Sequence, residues 1–149
     1  MANYKRLFLT GHSYYITIVT HKRNPILIDN IESLRDSFRE SKKYYIYNID
    51  DIVILPDHIH MIITPKIATN YPKIVRAIKY NFSNRVILEE EQSYSRYQRG
   101  LTPIWQKRYY EHTIRDEDDY LRCIKYMKNN PVKHNLVKNI KDWKYSSFW

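Results

Sequence analysis

Two histidines separated by one residue, His58 and His60, are the side chains in this sequence best suited to hold a metal ion. They follow four apolar residues and a Pro-Asp pair, a pattern that predicts a strand, a tight turn and an antiparallel return strand. Because side chains alternate between the faces of a strand, the two histidines share one face, while Ile59 and Met61 share the other. The pair could bind one metal ion; the alternative is two polar residues on a half-solvated face.

A second group that could do chemistry lies on a predicted helix near the C-terminus. Asp116 is its predicted N-cap, acidic residues fill its first turn, and Pro131 is expected to end it. Arg122, Tyr126 and Asn130 are spaced by four residues, so they lie along one side of this helix. A guanidinium, a phenol and a carboxamide can therefore face a common point. The alternative for Tyr126 is an ordinary packed tyrosine.

The elements that must position these groups follow the order strand, helix, strand, strand, helix, strand, helix. This order predicts an α+β, ferredoxin-like (RRM-like) domain: an antiparallel sheet, two helices on one face and an extra C-terminal helix. That helix would cross the open face and bring Tyr126 beside the histidines. The predicted elements are a strand at 14–20, a helix at 30–43, one strand or a bulged pair of short strands at 45–55, a strand at 58–63, a helix from Pro72 to about Glu90, a polar loop at 91–103, a strand at 104–110 and the helix after Asp116.

Composition predicts one soluble domain that spans residues 1–149. The single cysteine, Cys123, forms no internal disulfide and indicates a reducing compartment. No apolar run reaches membrane-spanning length, and the N-terminus lacks the apolar segment of a secretory signal. We therefore expect a cytoplasmic protein.

The charge balance favours a polyanionic partner. The chain has 25 Lys and Arg against 16 Asp and Glu, a net charge of +9, and 15 tyrosines on which unpaired bases could stack. Arg76, Lys79 and Arg85 form a stripe on the second predicted helix, opposite its apolar face. This stripe could track phosphates, although a solvated helix face has the same pattern.

Several blocks, in order along nearly the whole chain, resemble one family. The strongest are His58-Ile59-His60 and the later Tyr126-Met127-Lys128-Asn129-Asn130. They resemble the His-hydrophobic-His (HUH), single-tyrosine transposases of bacterial insertion sequences, and most closely the REP-associated tyrosine transposases. Further matching blocks lie at 3–6, 11–20, 55–57, 104–112, 114–116, 131–134, 142–143 and 145–148. Asn135 stands where the family usually has glycine, and because Asn tolerates left-handed backbone, we expect that turn to survive.

The resemblance implies metal-dependent cleavage and strand transfer of single-stranded DNA at hairpin-flanked, REP-like sites. Tyr126 would attack a phosphodiester and form a 5′-phosphotyrosine link. His58, His60 and Asn130 match the family's ligands for a divalent metal, Mg²⁺ or Mn²⁺, which would polarise the phosphate. A free phenol is mostly protonated at neutral pH, so Arg122 or the metal is expected to stabilise the phenolate.

The expected DNA contacts come from several parts of the chain. Lys5 and Arg6, with the segment 143–149, resemble regions that read a guide sequence beside a hairpin, and Lys133 follows the helix closely enough to touch phosphate. Relatives act as monomers or as homodimers that exchange the tyrosine helix. The full set of predicted DNA-binding residues is Lys5, Arg6, Arg76, Lys79, Arg85, Arg108 and Lys133.

Two other functions compete with this interpretation. A non-catalytic, ferredoxin-like nucleic-acid binder would keep the fold and the basic surface without cutting DNA. A metal-dependent hydrolase of small substrates fits less well, because Asp57 is the only further ligand near the histidines.

Overall fold

A four-stranded antiparallel sheet forms the centre of the protein, for which a computed structural model describes residues 11–88, 93–100 and 103–149. The strand order is β2-β3-β1-β4. This order, with a helix in each crossover, confirms the predicted ferredoxin-like α+β fold. The strands are β1 (Tyr14–Val19), β2 (Tyr47–Ile54), β3 (His58–Pro65) and β4 (Tyr110–Thr113), and the helices are α1 (Ile31–Ser41), α2 (Tyr71–Arg85), α3 (Tyr94–Gln98) and α4 (Glu117–Lys133).

The main hydrophobic core lies between one face of the sheet and the helices α1 and α2. Alternate residues of β1 and β3, among them Ile16 and Met61, point into it and are fully buried. Leu34 of α1 and Ile78 of α2 meet them from the helix side, at the helical spacing expected from the sequence. This packing leaves the other residues of the same strands, including the histidines, on the opposite face.

Helix α4 packs across that opposite face, as the topology predicted. Met127 is fully buried there against Tyr15, Val53 and Ile62, and Cys123 packs at the edge of this smaller core. The first turn of α4 is capped as expected, since the Asp116 side chain accepts a hydrogen bond from the Asp119 backbone N–H. The sheet is therefore covered by α1 and α2 on one face and by α4 on the other. The histidines lie on the face that α4 covers.

Several predicted boundaries and one predicted loop were wrong. The strand expected at 104–110 begins only at Tyr110, because Trp105 turns into the core and donates its indole N–H to the Lys79 carbonyl. Helix α2 ends at Arg85, where Val86 takes an extended conformation and packs against the core. The predicted loop at 91–103 contains α3, which Ser93 caps by accepting from the Arg96 N–H.

Pro131 does not end α4, contrary to the prediction. The helix runs two residues further, to Lys133, and His134 still donates its backbone N–H to Asn130. Proline has no N–H to donate to the residue 127 carbonyl, so α4 loses one hydrogen bond there but keeps the one from His134 to Asn130. Asn135 then adopts a left-handed conformation with φ of 58°, which confirms the expectation that this turn survives without glycine.

The C-terminal segment covers the outer edge of β2. Ser147 donates its backbone N–H to Ile52, and Ile54 donates to Tyr145, so the segment continues the sheet locally. Trp143 donates its indole N–H to the Ile54 carbonyl. None of the helices in the described ranges is long and apolar enough to cross a membrane.

Candidate active site on the open face of the sheet

The two histidines stand side by side at the start of β3. On the neighbouring strand β1, Thr17 is the register partner of His60, and Val19 is the partner of His58. The two imidazole rings are perpendicular, with their centroids 4.8 Å apart. Each histidine is only 4% exposed, so the pair lies at the floor of a cleft rather than on an open surface.

His58 is held on both sides of its ring. Its Nδ1 lies 2.6 Å from the Asp57 carboxylate, and Asp57 is paired in turn with Arg23 at 2.9 Å. Burial alone would raise the pKa of Asp57, but the contacts with His58 and Arg23 outweigh it and lower that pKa. Asp57 is therefore a carboxylate that accepts the Nδ1 proton, and the other ring nitrogen of His58, Nε2, lies 3.1 Å from the Asn130 Oδ1.

His60 is held through its Nδ1 by two hydroxyl groups. The Tyr15 phenol and the Thr17 hydroxyl both lie 2.8 Å from this nitrogen. The other nitrogen, Nε2, is buried and has no hydrogen-bond partner among the described residues. Burial, with the nearby His58 and His134, lowers the pKa of His60 to about 3, so its imidazole is neutral at physiological pH.

Tyr126 stands at the mouth of the cleft, above His60. Its side chain is 48% exposed, and its ring centroid lies 5.4 Å from that of His60. The Lys133 ammonium lies 5.5 Å from the centre of the Tyr126 ring. The phenol is thus open to a substrate while the histidines stay below it.

Arg122, the remaining predicted site residue, lines the same cleft, but its side chain is paired with an acidic residue of its own helix. Its guanidinium lies 3.7 Å from Asp119, one turn earlier on α4, and its side chain is 72% exposed. Asp119 also accepts hydrogen bonds from the His112 ring at 2.8 Å and from the Arg115 backbone N–H. Burial raises the pKa of Asp119, but these partners outweigh it and keep the group a carboxylate.

Together these side chains line one cleft of about 680 Å³. One end holds the histidines with Arg23, Lys133 and His134, and the other holds His112, Arg122 and Cys123. Positive side chains at both ends suit an anionic substrate such as a nucleic-acid backbone.

The donor atoms at the floor of the cleft fit a divalent metal ion. His58 Nε2 and Asn130 Oδ1 lie 3.1 Å apart, so a single ion could contact both atoms. Nε2 of His60 is a third possible ligand atom, because it is buried and has no hydrogen-bond partner among the described residues. Two neutral imidazoles and a carboxamide form a ligand set compatible with Mn²⁺ or Mg²⁺. Ligand atoms of His112, Asp119 and Cys123 also lie within 4.8 Å of one another, but the first two already bond each other.

Of the five predicted DNA-binding residues that the structure describes, only Lys133 lines the cleft. Arg76, Lys79 and Arg85 belong to α2, on the other side of the sheet. Lys79 donates to the carbonyls of residues 106 and 107, and Arg85 donates to that of residue 81. Arg108 is exposed, before β4. Lys5 and Arg6 lie outside the described residues.

Sequence reasoning missed the residues that hold the histidines from β1. Tyr15 and Thr17 alternate with the apolar Tyr14, Ile16 and Ile18, and that alternation was a usable signal for a second polar face. Their contact with His60 depends on the β1–β3 register, which a single sequence does not reveal.

The fold and the site together define a class of protein: a ferredoxin-like sheet with paired histidines and a tyrosine-bearing helix across its open face. The model of the family described as "Transposase IS200 like" matches residues 8–130 of this chain. The chain belongs to this family of tyrosine transposases, which are enzymes.

Individual relatives agree with this assignment. A Haemophilus influenzae protein assigned as a REP-associated tyrosine transposase is 37% identical over 99% of this chain and 86% of its own length. The REP-associated tyrosine transposase of Escherichia coli is 31% identical over 99% of this chain and 83% of the relative. The solved structure of a REP-associated tyrosine transposase bound to a REP hairpin superposes with a TM-score of 0.81 at 31% identity, covering 99% of this chain and 83% of that one.

Proposed function

We propose that this protein cleaves and rejoins single-stranded DNA at hairpin-flanked, REP-like sites through a covalent link to Tyr126. The observation that carries the proposal is the position of this exposed phenol, whose ring centre lies 5.4 Å from that of His60. Asn130, one turn further along the same helix, contacts His58 at 3.1 Å. The phenol and the metal-ligand set thus belong to one cleft.

In the proposed cleavage step, the Tyr126 oxygen attacks a phosphorus atom of the DNA backbone. A bond forms between the phenolic oxygen and phosphorus, and the bond to the 3′ oxygen breaks. That oxygen leaves with the electron pair and takes a proton, while the phenol gives up its own proton. The products are a 5′-phosphotyrosine and a free 3′ hydroxyl, and attack by a 3′ hydroxyl on the phosphotyrosine rejoins a strand.

The proposed metal ligands are His58, His60 and Asn130. A divalent ion, Mg²⁺ or Mn²⁺, would polarise a non-bridging phosphate oxygen and offset its charge. The Asp57 carboxylate holds the His58 ring through its Nδ1, and burial keeps the His60 imidazole neutral, so that its Nε2 could bind a metal ion. Lys133 adds positive charge beside the nucleophile.

The arrangement of α4 supports a site that is complete in one chain. The helix packs by Met127 against the sheet of its own chain, and Tyr126 reaches the histidines of that chain. We therefore propose that a monomer is active, with a cleavage rate per molecule that is independent of protein concentration.

The first test mixes the protein with end-labelled, hairpin-flanked single strands in the presence of Mn²⁺ or a chelator. We expect a denaturation-resistant protein-DNA adduct that needs the metal and disappears in Tyr126→Phe, because this change removes only the attacking oxygen. Tyr97→Phe, on α3 and 69% exposed, is the matched control and should form the adduct normally. Adduct formation by Tyr126→Phe would rule out this nucleophile. Tight binding without any adduct in the native protein would favour the non-catalytic nucleic-acid binder.

A second test concerns the basic residues of α2 and whether they bind the hairpin backbone. Arg76 is exposed and lines a groove of about 350 Å³ with Tyr80 and Lys107. We expect Arg76→Gln to weaken hairpin binding several-fold at low salt and to reduce the slope of affinity against salt by about one. Arg39→Gln, whose side chain is paired with Asp36, is the control. Unchanged affinity and slope in Arg76→Gln would exclude this surface.

A further inference from the structure

The hydroxyl groups that β1 presents to His60 have no part in the chemistry described above. Thr17 lies directly opposite His60 in the sheet, and Tyr15 lies two residues earlier on the same face. The Tyr15 ring is nearly parallel to the His60 ring, with centroids 5.7 Å apart and an angle of 16°. Both hydroxyl oxygens are 2.8 Å from Nδ1.

The state of His60 follows from counting hydrogens on its two nitrogens. A neutral imidazole carries one N–H and one lone pair. If the hydrogen were on Nε2, it would be a buried donor with no partner in the described part of the chain. If it is on Nδ1, it is donated to a hydroxyl oxygen, since those of Tyr15 and Thr17 both lie 2.8 Å away. The second arrangement leaves the Nε2 lone pair directed into the cleft.

We infer that Tyr15 and Thr17 are positioning residues that fix the Nδ1–H tautomer of His60 and so present its Nε2 to a metal ion. This inference rests on the proposed metal site and goes beyond it, because it assigns a role to two residues outside the proposed ligand set. His58 gains the same orientation from the carboxylate of Asp57. The two histidines are therefore held by different groups. A charged carboxylate on the β2–β3 turn holds His58, and two neutral hydroxyls on β1 hold His60.

The conservative variants separate the hydroxyl from the shape of the side chain. Tyr15→Phe keeps the stacked ring, and Thr17→Val keeps the β-branched shape that suits a strand. Thr17→Ser restores a hydroxyl without the methyl group. Tyr110→Phe is the matched control, because Tyr110 lines the same cleft and is 60% exposed.

The first measurement is the tautomer of His60 in the metal-free protein, from long-range ¹H–¹⁵N correlation spectra of ¹⁵N-histidine-labelled samples. We expect a protonated Nδ1 and an unprotonated Nε2 in the native protein and in Thr17→Ser. In the double variant Tyr15→Phe, Thr17→Val, we expect a mixture of tautomers. A protonated Nε2 in the native protein would overturn the inference, as would an unchanged spectrum in the double variant.

The second measurement is Mn²⁺ affinity without DNA, from the electron paramagnetic resonance signal of the free ion. Loss of outer hydrogen bonds to a ligating histidine typically weakens metal binding about ten- to a hundredfold. We expect a loss of this size in the double variant and native affinity in Thr17→Ser and Tyr110→Phe. Native affinity in the double variant would overturn the inference. If His60→Ala bound Mn²⁺ as tightly as the native protein, the proposed metal site would fail instead, whatever the tautomer of His60.

Discussion

At the scale of single residues, the cation that lies over the Tyr126 ring is Lys133, whereas the helix spacing predicted Arg122. Arg122 is one turn before Tyr126, but its guanidinium is 3.7 Å from Asp119. Lys133, two turns after Tyr126, has its ammonium 5.5 Å from the tyrosine ring centre. A cation this close to the phenol would stabilise negative charge that develops on its oxygen.

This difference gives a prediction about cleavage rates. Because Lys133 is the cation beside the phenol, we expect Lys133→Met to slow single-turnover cleavage about ten- to a hundredfold. Arg122→Gln should slow it much less, because its partner Asp119 keeps its bonds to His112 and to the residue 115 backbone. Rates are measured with saturating labelled oligonucleotide and Mn²⁺. A larger decrease in cleavage rate in Arg122→Gln than in Lys133→Met would show that Arg122, and not Lys133, stabilises the phenolate.

At the scale of secondary-structure elements, the position of α4 decides whether a site exists. Two side-chain contacts hold the start of this helix to the sheet. The His112 ring on β4 bonds Asp119 at 2.8 Å, and the Tyr120 hydroxyl donates to Asp51 of β2 at 2.5 Å. The far end is held by Asn130 at His58. Tyr126 lies between these attachments, so its placement depends on both ends.

The contact at Tyr120 can be tested by removing one hydroxyl. The hydrogen bond with Asp51, followed by burial, raises the pKa of Tyr120 to about 12, so the phenol stays protonated and donates at neutral pH. We expect Tyr120→Phe to lower the free energy of unfolding by about 1 to 2 kcal/mol in urea titrations. Cleavage should slow as well, since α4 loses one of its attachments.

Tyr44→Phe is the control for this experiment, because Tyr44 is 73% exposed and lies between α1 and β2, outside the sheet and α4. Unchanged stability and rate in Tyr120→Phe would show that the contact between Tyr120 and Asp51 does not help to position the helix.

At the scale of the whole molecule, buried tyrosines make the free energy of unfolding depend on pH in the alkaline range. Burial raises the pKa of Tyr15 and of Tyr47, and in both cases this effect outweighs a hydrogen bond from a neighbouring hydroxyl that lowers it. Above pH 10 the unfolded chain therefore releases these protons before the folded chain does. The unfolded state then binds fewer protons, so the free energy of unfolding must fall as pH rises.

We expect urea midpoints to decrease from pH 10 upward, and Tyr47→Phe to lose part of this dependence. Tyr47 is the better variant, because its hydroxyl bonds Ser41 at 2.6 Å, far from the metal ligands. The exposed Tyr94→Phe should keep the native slope. Stability that is constant or rises with pH in this range would contradict the assignment of Tyr47 and Tyr15 as buried, protonated groups.

The sequence by itself determined the order of elements, the fold class and the family. Alternation along β3 placed the histidines opposite Ile59 and Met61, and the four-residue spacing placed Tyr126 and Asn130 on one side of α4. Such patterns are local, since the geometry of a single strand or helix fixes which side chains share a face. The wrong boundaries had tertiary causes: Trp105 entered the core, and the last turn of α4 accommodated Pro131.

Only the tertiary structure decided which side chains meet across elements. The β1–β3 register put Tyr15 and Thr17 at Nδ1 of His60, and the turn before β3 brought Arg23 to Asp57. The same packing placed α2 and its basic stripe on the face away from the cleft, which the helix pattern alone could not show. These contacts join residues far apart in the chain, and their distances depend on strand register and helix docking, which no local periodicity records.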